Sequence, residues 1–352
     1  MSRTLELVAV GARTPVGFTA EASAAAVRAG ISRLSAYPFA TADGECVSVA
    51  CDSEATLDER APTRAVRMLN SVVAELLGKL PPHRLKGLEC EVFLAIPERR
   101  PGFGHAEGVG ANPFVWLEHE LSERLRDAGV HATVHVIERG HAGVFVGLQR
   151  ALHSGRDGLT LVFGVDSYID PETFLWLERE GRFAQPGLRG GFVPGEAAGG
   201  IALVSPSLRR ILQLPSLASL HGVGVATESQ LRDHEVGSLG VATAAAVRQA
   251  GAGLELPQDA AADVYCDLNG ERYRSEDWGF FALRAAAFMR TPQYVAPVDV
   301  WGDVGAASGA LCAVLSVEAF SRNYANGPVA LLMGASDLGT RGAAFLRVPK
   351  GR

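Results

Sequence analysis

Lysine is nearly missing from this chain of 352 residues: only Lys79, Lys86 and Lys350 occur, and arginine supplies almost all the positive charge. No cysteine lies between Cys90 and Cys266, and no histidine follows His234. The cysteines Cys46, Cys51, Cys90, Cys266 and Cys312 form no CxxC pair and keep no metal-ligand spacing. That excludes a disulfide framework and a zinc site and predicts reduced, mostly buried thiols. His131 and His135 stand four apart on an expected strand, too far along one face for a tight metal pair. No long basic run offsets the net charge of -6, so nucleic acid and anionic membranes are excluded as general partners. No stretch approaches the length of a membrane span. The opening MSRTLELVAVGARTPVG has neither the apolar core nor the cleavage site of a signal peptide. A cytoplasmic protein is expected.

With 47% hydrophobic and 20% charged residues, the chain can bury a large core. Leu5 to Val10 is a short apolar run closed by Gly11 and the turn Pro15-Val16-Gly17, read as a buried strand with a parallel sheet as its natural context. From Thr63 to Leu77 apolar residues recur at helical spacing with Arg and Glu opposite, which predicts an amphipathic surface helix. Glu91 to Ile96 and Thr133 to Ile137 read as strands, and Pro97 to Pro113, rich in Gly, Pro and Arg, as a long loop or lid. Two later segments resemble each other. One runs from Gly140-His141-Ala142-Gly143 through a helix to Leu152, a turn at Ser154-Gly155 and a strand from Leu159 to Gly164. The other runs from Gly305-Ala306-Ala307-Ser308-Gly309 through a helix to Phe320, a turn at Asn326-Gly327 and a strand from Val329 to Gly334. Both helices are small or apolar on nearly every face and are expected to be buried on all sides. Alternating strands and helices predict an α/β architecture of two related halves, residues 1–207 and 208–352.

Several motifs in one order resemble the β-ketoacyl synthase branch of the thiolase superfamily over essentially the whole chain. They are Val8 to Gly17, Gly164-Val165-Asp166-Ser167, the glycine-rich stretch Gly191 to Gly200 with Glu196 inside it, Gly302 to Gly309, and Gly339-Thr340-Arg341-Gly342. The resemblance implies a thiolase fold, a five-layer αβαβα arrangement of two pseudo-duplicated halves, and a dimer joined through an edge strand. It gives Glu196 a structural role.

Members of that family attack a thioester with a cysteine thiolate at a helix start and stabilise the resulting anions with two histidines. Matching motifs puts Glu138 at the cysteine position, Asn269 and Asp303 at the two histidine positions, and Asp337 where a phenylalanine gates the acyl tunnel. The gaps in cysteine, histidine and lysine hold in any register, so the condensing machinery is absent. An ionised Asp303 accepts and cannot donate, whereas Asn269 still donates. Arg139 is the expected partner of Glu138. His141, just inside the helix, reads as a satisfied buried histidine, and Trp278, Phe280 and Phe281 as core. Arg99, Arg100 and His105 sit on the loop that could meet a phosphopantetheine arm or a partner. Neither cofactor nor metal is implied. The resemblance therefore points to a catalytically inactive structural or adaptor subunit in a homodimer or heterodimer. Its partner would be a synthase subunit, as for a chain-length factor, or a secretion effector, as for accessory proteins of type VI secretion. A second reading is an acyl-thioester hydrolase or lyase in which Glu138 and Asp303 share one pocket and a proton. A third is binding of an acyl carrier or coenzyme A without turnover.

Overall fold

The computed structural model describes residues 4–81, 85, 88–105, 113–154, 158–184 and 190–349. In chain order the first half contains β1 (Leu5–Arg13), α1 (Ala20–Ala29), β2 (Leu34–Ala40), β3 (Cys46–Ala50), α2 (Ala61–Lys79), β4 (Glu89–Ile96), β5 (Arg100–Pro101), β6 (Gly104–His105), α3 (Pro113–Asp127), β7 (His131–Glu138), α4 (Gly143–His153), β8 (Leu159–Ser167), α5 (Pro171–Arg179) and β9 (Glu196–Val204). After α6 (Pro206–Leu212) come β10 (Ala218–Thr227), α7 (Val241–Ala250), β11 (Asp263–Tyr265), α8 (Arg272–Arg284), α9 (Val298–Trp301), α10 (Ser308–Ser321), β12 (Val329–Ala335) and β13 (Thr340–Arg347). The expected junction at 207/208 falls inside α6.

Nine strands join in the order β11-β12-β13-β10-β1-β9-β8-β4-β7. Within it β1-β9-β8-β4-β7 and β10-β13-β12-β11 follow one scheme, first strand, last, penultimate, then second. The scheme's fifth place is filled in the second half by Val295, which bridges to Tyr265. β1 departs from the expected parallel context: it runs antiparallel to β9 and to β10, and β8/β9, β10/β13 and β12/β13 are antiparallel as well. A strand buried on both faces carries the same apolar run whichever way its neighbours point, so its sequence is silent on direction.

Three apolar clusters define the layers. α2 and α3 cover one outer face, where Met68, Leu69, Val72 and Leu76 meet Leu117, Leu121 and Leu125. α7 and α8 cover the other, through Val247 and Phe281 against Leu331 and Phe345. Between the two halves of the sheet lie α1, α4 and α10, with Ala24, Phe145, Leu148, Leu311 and Leu315 in one core. Helices, sheet, helices, sheet, helices make the five-layer αβαβα thiolase fold.

α10 is buried from Ser308 to Phe320. α4 departs from expectation: Gln149, Arg150 and His153 lie outside the buried set because its last turn reaches the surface. α2 is amphipathic, yet Arg64 on it is 1% exposed. Its guanidinium donates to Glu196 Oε1 at 2.9 Å, and Glu196 also accepts from Asp52 N and Ser167 Oγ, both at 2.8 Å. Phe280 is 42% exposed, whereas Phe281 is core. Of the expected loop Pro97 to Pro113, residues 97–105 form a tight turn carrying β5 and β6, and 106–112 lie outside the described residues, as does Gly155.

Candidate functional site

His141 occupies a single 3₁₀ turn, Gly140–Ala142, between β7 and α4. Gly140 has φ +47, a left-handed backbone that favours glycine and turns the chain so that His141 points between the halves. Asp303 approaches from the other half. Its backbone N donates to Val193 O at 2.7 Å and its carbonyl accepts from Gly195 N at 2.8 Å, which fastens it to the glycine-rich stretch. Gly195 leaves no room for a side chain, since a Cβ there would stand 2.3 Å from Trp301 O.

The side chains then meet in pairs. His141 Nε2 and Asp303 Oδ1 are 2.8 Å apart; an ionised carboxylate can only accept, so Nε2 carries the proton. Asp303 Oδ1 also accepts from Gly305 N at 2.8 Å, and Oδ2 from Asn269 Nδ2 at 2.6 Å. Asn269 Nδ2 donates its second proton to Glu271 Oε2 at 3.0 Å, while its Oδ1 accepts from Glu271 N. Arg182 grips Glu271 with Nε and Nη2 at 2.7 and 2.8 Å and Asp337 with Nη1 at 2.7 Å. Arg274 donates to Asp267 Oδ2 and Asp337 Oδ1, each at 3.0 Å, and to Ala335 O. Tyr273 Oη donates to Asp337 Oδ1 at 2.6 Å. Arg100 pairs with Asp166, which also accepts from Ala306 N at 2.9 Å.

Each charge is set by its neighbours. Burial alone would raise the Asp303 carboxyl, but His141, Arg274 and Asn269 hold it well below the usual carboxylate range. Burial pushes His141 down, yet the Asp303 charge outweighs that and leaves its pKa raised. Asp337 is likewise depressed, because Arg182 and Arg274 overcome its desolvation. Glu98, which accepts from Leu338 N at 3.1 Å, is pushed up by burial and by the nearby Asp337 charge.

Of the five residues singled out in the sequence, His141, Asn269, Asp303 and Asp337 come together and Glu138 does not join them. Glu138 ends β7, and the regular helix α4 begins only at Gly143. Its side chain accepts from Arg99 Nε at 3.0 Å and is 31% exposed. Arg139, its expected partner, donates to the Glu138 carbonyl instead of the carboxylate. The backbone N of Ala142, just before α4, donates to Ser336 Oγ at 2.9 Å. The donor capacity expected of Asn269 is also spent, since both amide protons serve carboxylates of the cluster. Arg182, Arg274, Glu271 and Tyr273 also belong to the cluster, although no local motif in the sequence marks them. Only the scarcity of lysine hinted at them, because buried bidentate ion pairs favour the planar guanidinium.

The cluster opens on a cleft of about 100 Å³ lined by Glu98, Arg100, His141, Tyr168, Trp176 and Asp337, among others. A second space of about 20 Å³ separates Asn269 and Asp303 from Cys266 and Cys312. Both thiols are buried and raised by desolvation, which keeps them protonated and unreactive. A larger groove of about 410 Å³ lies elsewhere, between α3 and the starts of β4 and β7. Among the described residues no group of His, Cys, Asp and Glu is disposed to hold a metal ion. Nor, among them, is any helix long and apolar enough to cross a membrane.

No family model and no curated protein sequence matches the chain. Solved structures do. The ketosynthase from module 6 of the bacillaene synthase of Bacillus subtilis 168 superposes with a TM-score of 0.77 at 13% identity, over 99% of this chain and 72% of that one. The ishigamide ketosynthase/chain length factor gives 0.79 at 15% identity, over 99% and 100%. A type II acyl-carrier protein in complex with its ketosynthase gives 0.78 at 15% identity, again over 99% and 100%. Such distant identity speaks to architecture alone. Sheet order, layers and superposition agree that this chain has the ketosynthase fold, the β-ketoacyl synthase form of the thiolase fold.

Proposed function

We propose that this chain is a non-catalytic ketosynthase-fold subunit that works by associating with a second thiolase-fold chain, in the manner of a chain-length factor beside its synthase. The observation that carries this reading is that the polar cluster is spent on itself. Both oxygens of Asp303 and both amide protons of Asn269 are bonded within the cluster. Neither is free to stabilise an enolate or oxyanion, which needs donors aimed at the developing charge. A cleft of about 100 Å³ is small beside the roughly 300–1,000 Å³ of pockets that enclose drug-sized ligands. That favours neither turnover nor retention of an acyl thioester. The scaffold, by contrast, is whole, and β7 is one of the two terminal strands of the sheet among the described residues. Its outer backbone groups can pair with another strand edge.

Hydrolysis or lysis by a Glu138–Asp303 pair gains no support, since Glu138 is engaged by Arg99 and Asp303 by His141 and Asn269. Purification of the tagged chain from its native cell tests the proposal. The expected result is a stoichiometric complex with a cysteine-bearing thiolase-fold chain, and no condensation or thioester cleavage by this chain alone. Recovery of a lone, partnerless dimer would count against it. Co-purification with a secretion effector would replace the synthase partner with an accessory role in secretion. Thioester cleavage lost in Glu138→Gln would establish the hydrolase reading instead.

A further inference from the structure

α7 and α8 close one outer face of the sheet, yet their outward side is apolar. Leu283 on α8 is 80% exposed, and Phe280 on α8, Val241 on α7 and Val236 in the loop before α7 are exposed as well. Contacts draw the four into one patch. Gly240, which caps α7, lies so close to α8 that a Cβ there would stand 2.4 Å from Phe281 N, and one on Gly237, beside Val236, would stand 3.2 Å from Glu276 Oε2. Farther along, Arg284 Nε donates to Leu239 O at 2.7 Å and Arg248 Nη2 to Arg284 O at 2.8 Å. Phe280 and Leu283 are three apart and share a face of α8, while Phe281 and Ala285 turn into the core. A surface helix ordinarily keeps polar residues on its outer side, and exposed apolar residues gathered in one place mark an interaction surface where scattered ones do not.

Length and charge decide the class of occupant. α7 has 10 residues and α8 has 13, so the seam between them runs for about 15–20 Å. That matches a third helix of roughly ten to fourteen residues, held by anchors at i, i+3, i+4 and i+7. Arg248 lies about two turns beyond Val241, and Arg284 about two turns beyond Glu276; both are exposed. Each gives a nitrogen to a main-chain carbonyl, and among the described residues neither makes an ion pair. Arg272, by contrast, is matched by Glu276, and Asp233 near Val236 by Arg232. The patch therefore has one end with two unmatched guanidinium groups, which favours carboxylates on whatever covers it. A second copy would bring only Glu235, exposed beside Val236, toward those two cations.

We infer that the α7–α8 patch is a docking surface for an amphipathic helix of another protein, apolar along one face and acidic at the end that overlies Arg248 and Arg284. It belongs to the opposite half of the sheet from β7, and no pairing at that edge is needed for it. The probe is a fluorescein-labelled helical peptide of about fourteen residues, with leucines at i, i+3, i+4 and i+7 and glutamates flanking one end, titrated with the intact protein and read by anisotropy. A dissociation constant of about 10–100 μM is expected, rising with added salt. The same peptide with lysine for glutamate should bind at least about tenfold more weakly. Leu283→Asp should weaken the glutamate peptide at least about tenfold, and Arg248→Glu should weaken it about fivefold while tightening the lysine peptide. Melting temperatures of both variants, read alongside, separate lost binding from lost folding. No saturable response, equal binding of the two peptides, or full binding by Leu283→Asp each overturns the assignment. So does a concentration-dependent dimer of this chain that Leu283→Asp dissolves, which would give the patch to a second copy.

Discussion

Removing the Asp303 carboxylate strips His141 of its partner and Asn269 of one acceptor in a place where their side chains are 4% or less exposed. Asp303→Leu is therefore expected to cost about 3–5 kcal/mol, the usual penalty for leaving one half of a buried pair behind. A urea midpoint shift of that size checks it. Asp303→Asn should cost less, since an amide oxygen can still accept from His141. The same pair predicts a pH dependence. His141 has a folded-state pKa above its ordinary 6.5, so its contribution is fully present below about pH 6.5 and is lost as pH rises through the raised value. Asp303 is depressed below its ordinary 3.8. Its contribution is fully present above that value and is lost only as pH falls through the lowered one. Stability measured in urea should hold from roughly pH 4 to 6.5 and decline above, and Asp303→Asn should flatten the alkaline decline.

Elements meet across the middle of the molecule with almost no clearance. A Cβ on Gly164, in β8, would stand 2.3 Å from Ala306 O, which is backbone and has nowhere to go. Gly164→Ala should destabilise by about 1–3 kcal/mol through overpacking, whereas Gly78→Ala on α2, where nothing lies within 4 Å, should be neutral or mildly stabilising. Thermal melts of the two variants make the comparison. The two helices that meet here were legible in the sequence because small and apolar residues mark them. α10, expected to run to Phe320, ends at Ser321, and α4, expected to run to Leu152, ends at His153. What stayed illegible was long-range: which way β1 pairs, and which arginine answers which acid. Nothing local to Arg182 announces Glu271, 89 positions away. Glu138 lies away from its expected helix start for a related reason. Spacing back from a turn located it at a helix start, but the chain spends Arg139 to Ala142 on a tight turn that spacing does not reveal.

At the scale of the whole molecule, β1 and β10 splice the two halves into one sheet, and the ion pairs His141–Asp303 and Arg182–Glu271 cross between them. The halves are expected to unfold together, with a single transition seen alike by Trp fluorescence and by far-ultraviolet dichroism. The sequence supports the duplicated fold more directly than the function. Repeats and glycines are written locally, whereas the self-satisfaction of the polar cluster depends on contacts between segments far apart.

α10 has protein on every side from Ser308 to Phe320. Water can reach its backbone only when the surrounding layers come apart, so its amide protons should be among the last in the chain to exchange with deuterium. Their exchange rate then becomes a clock for opening of the entire fold. Any true partner that stabilises the folded chain, wherever it docks, should slow that clock.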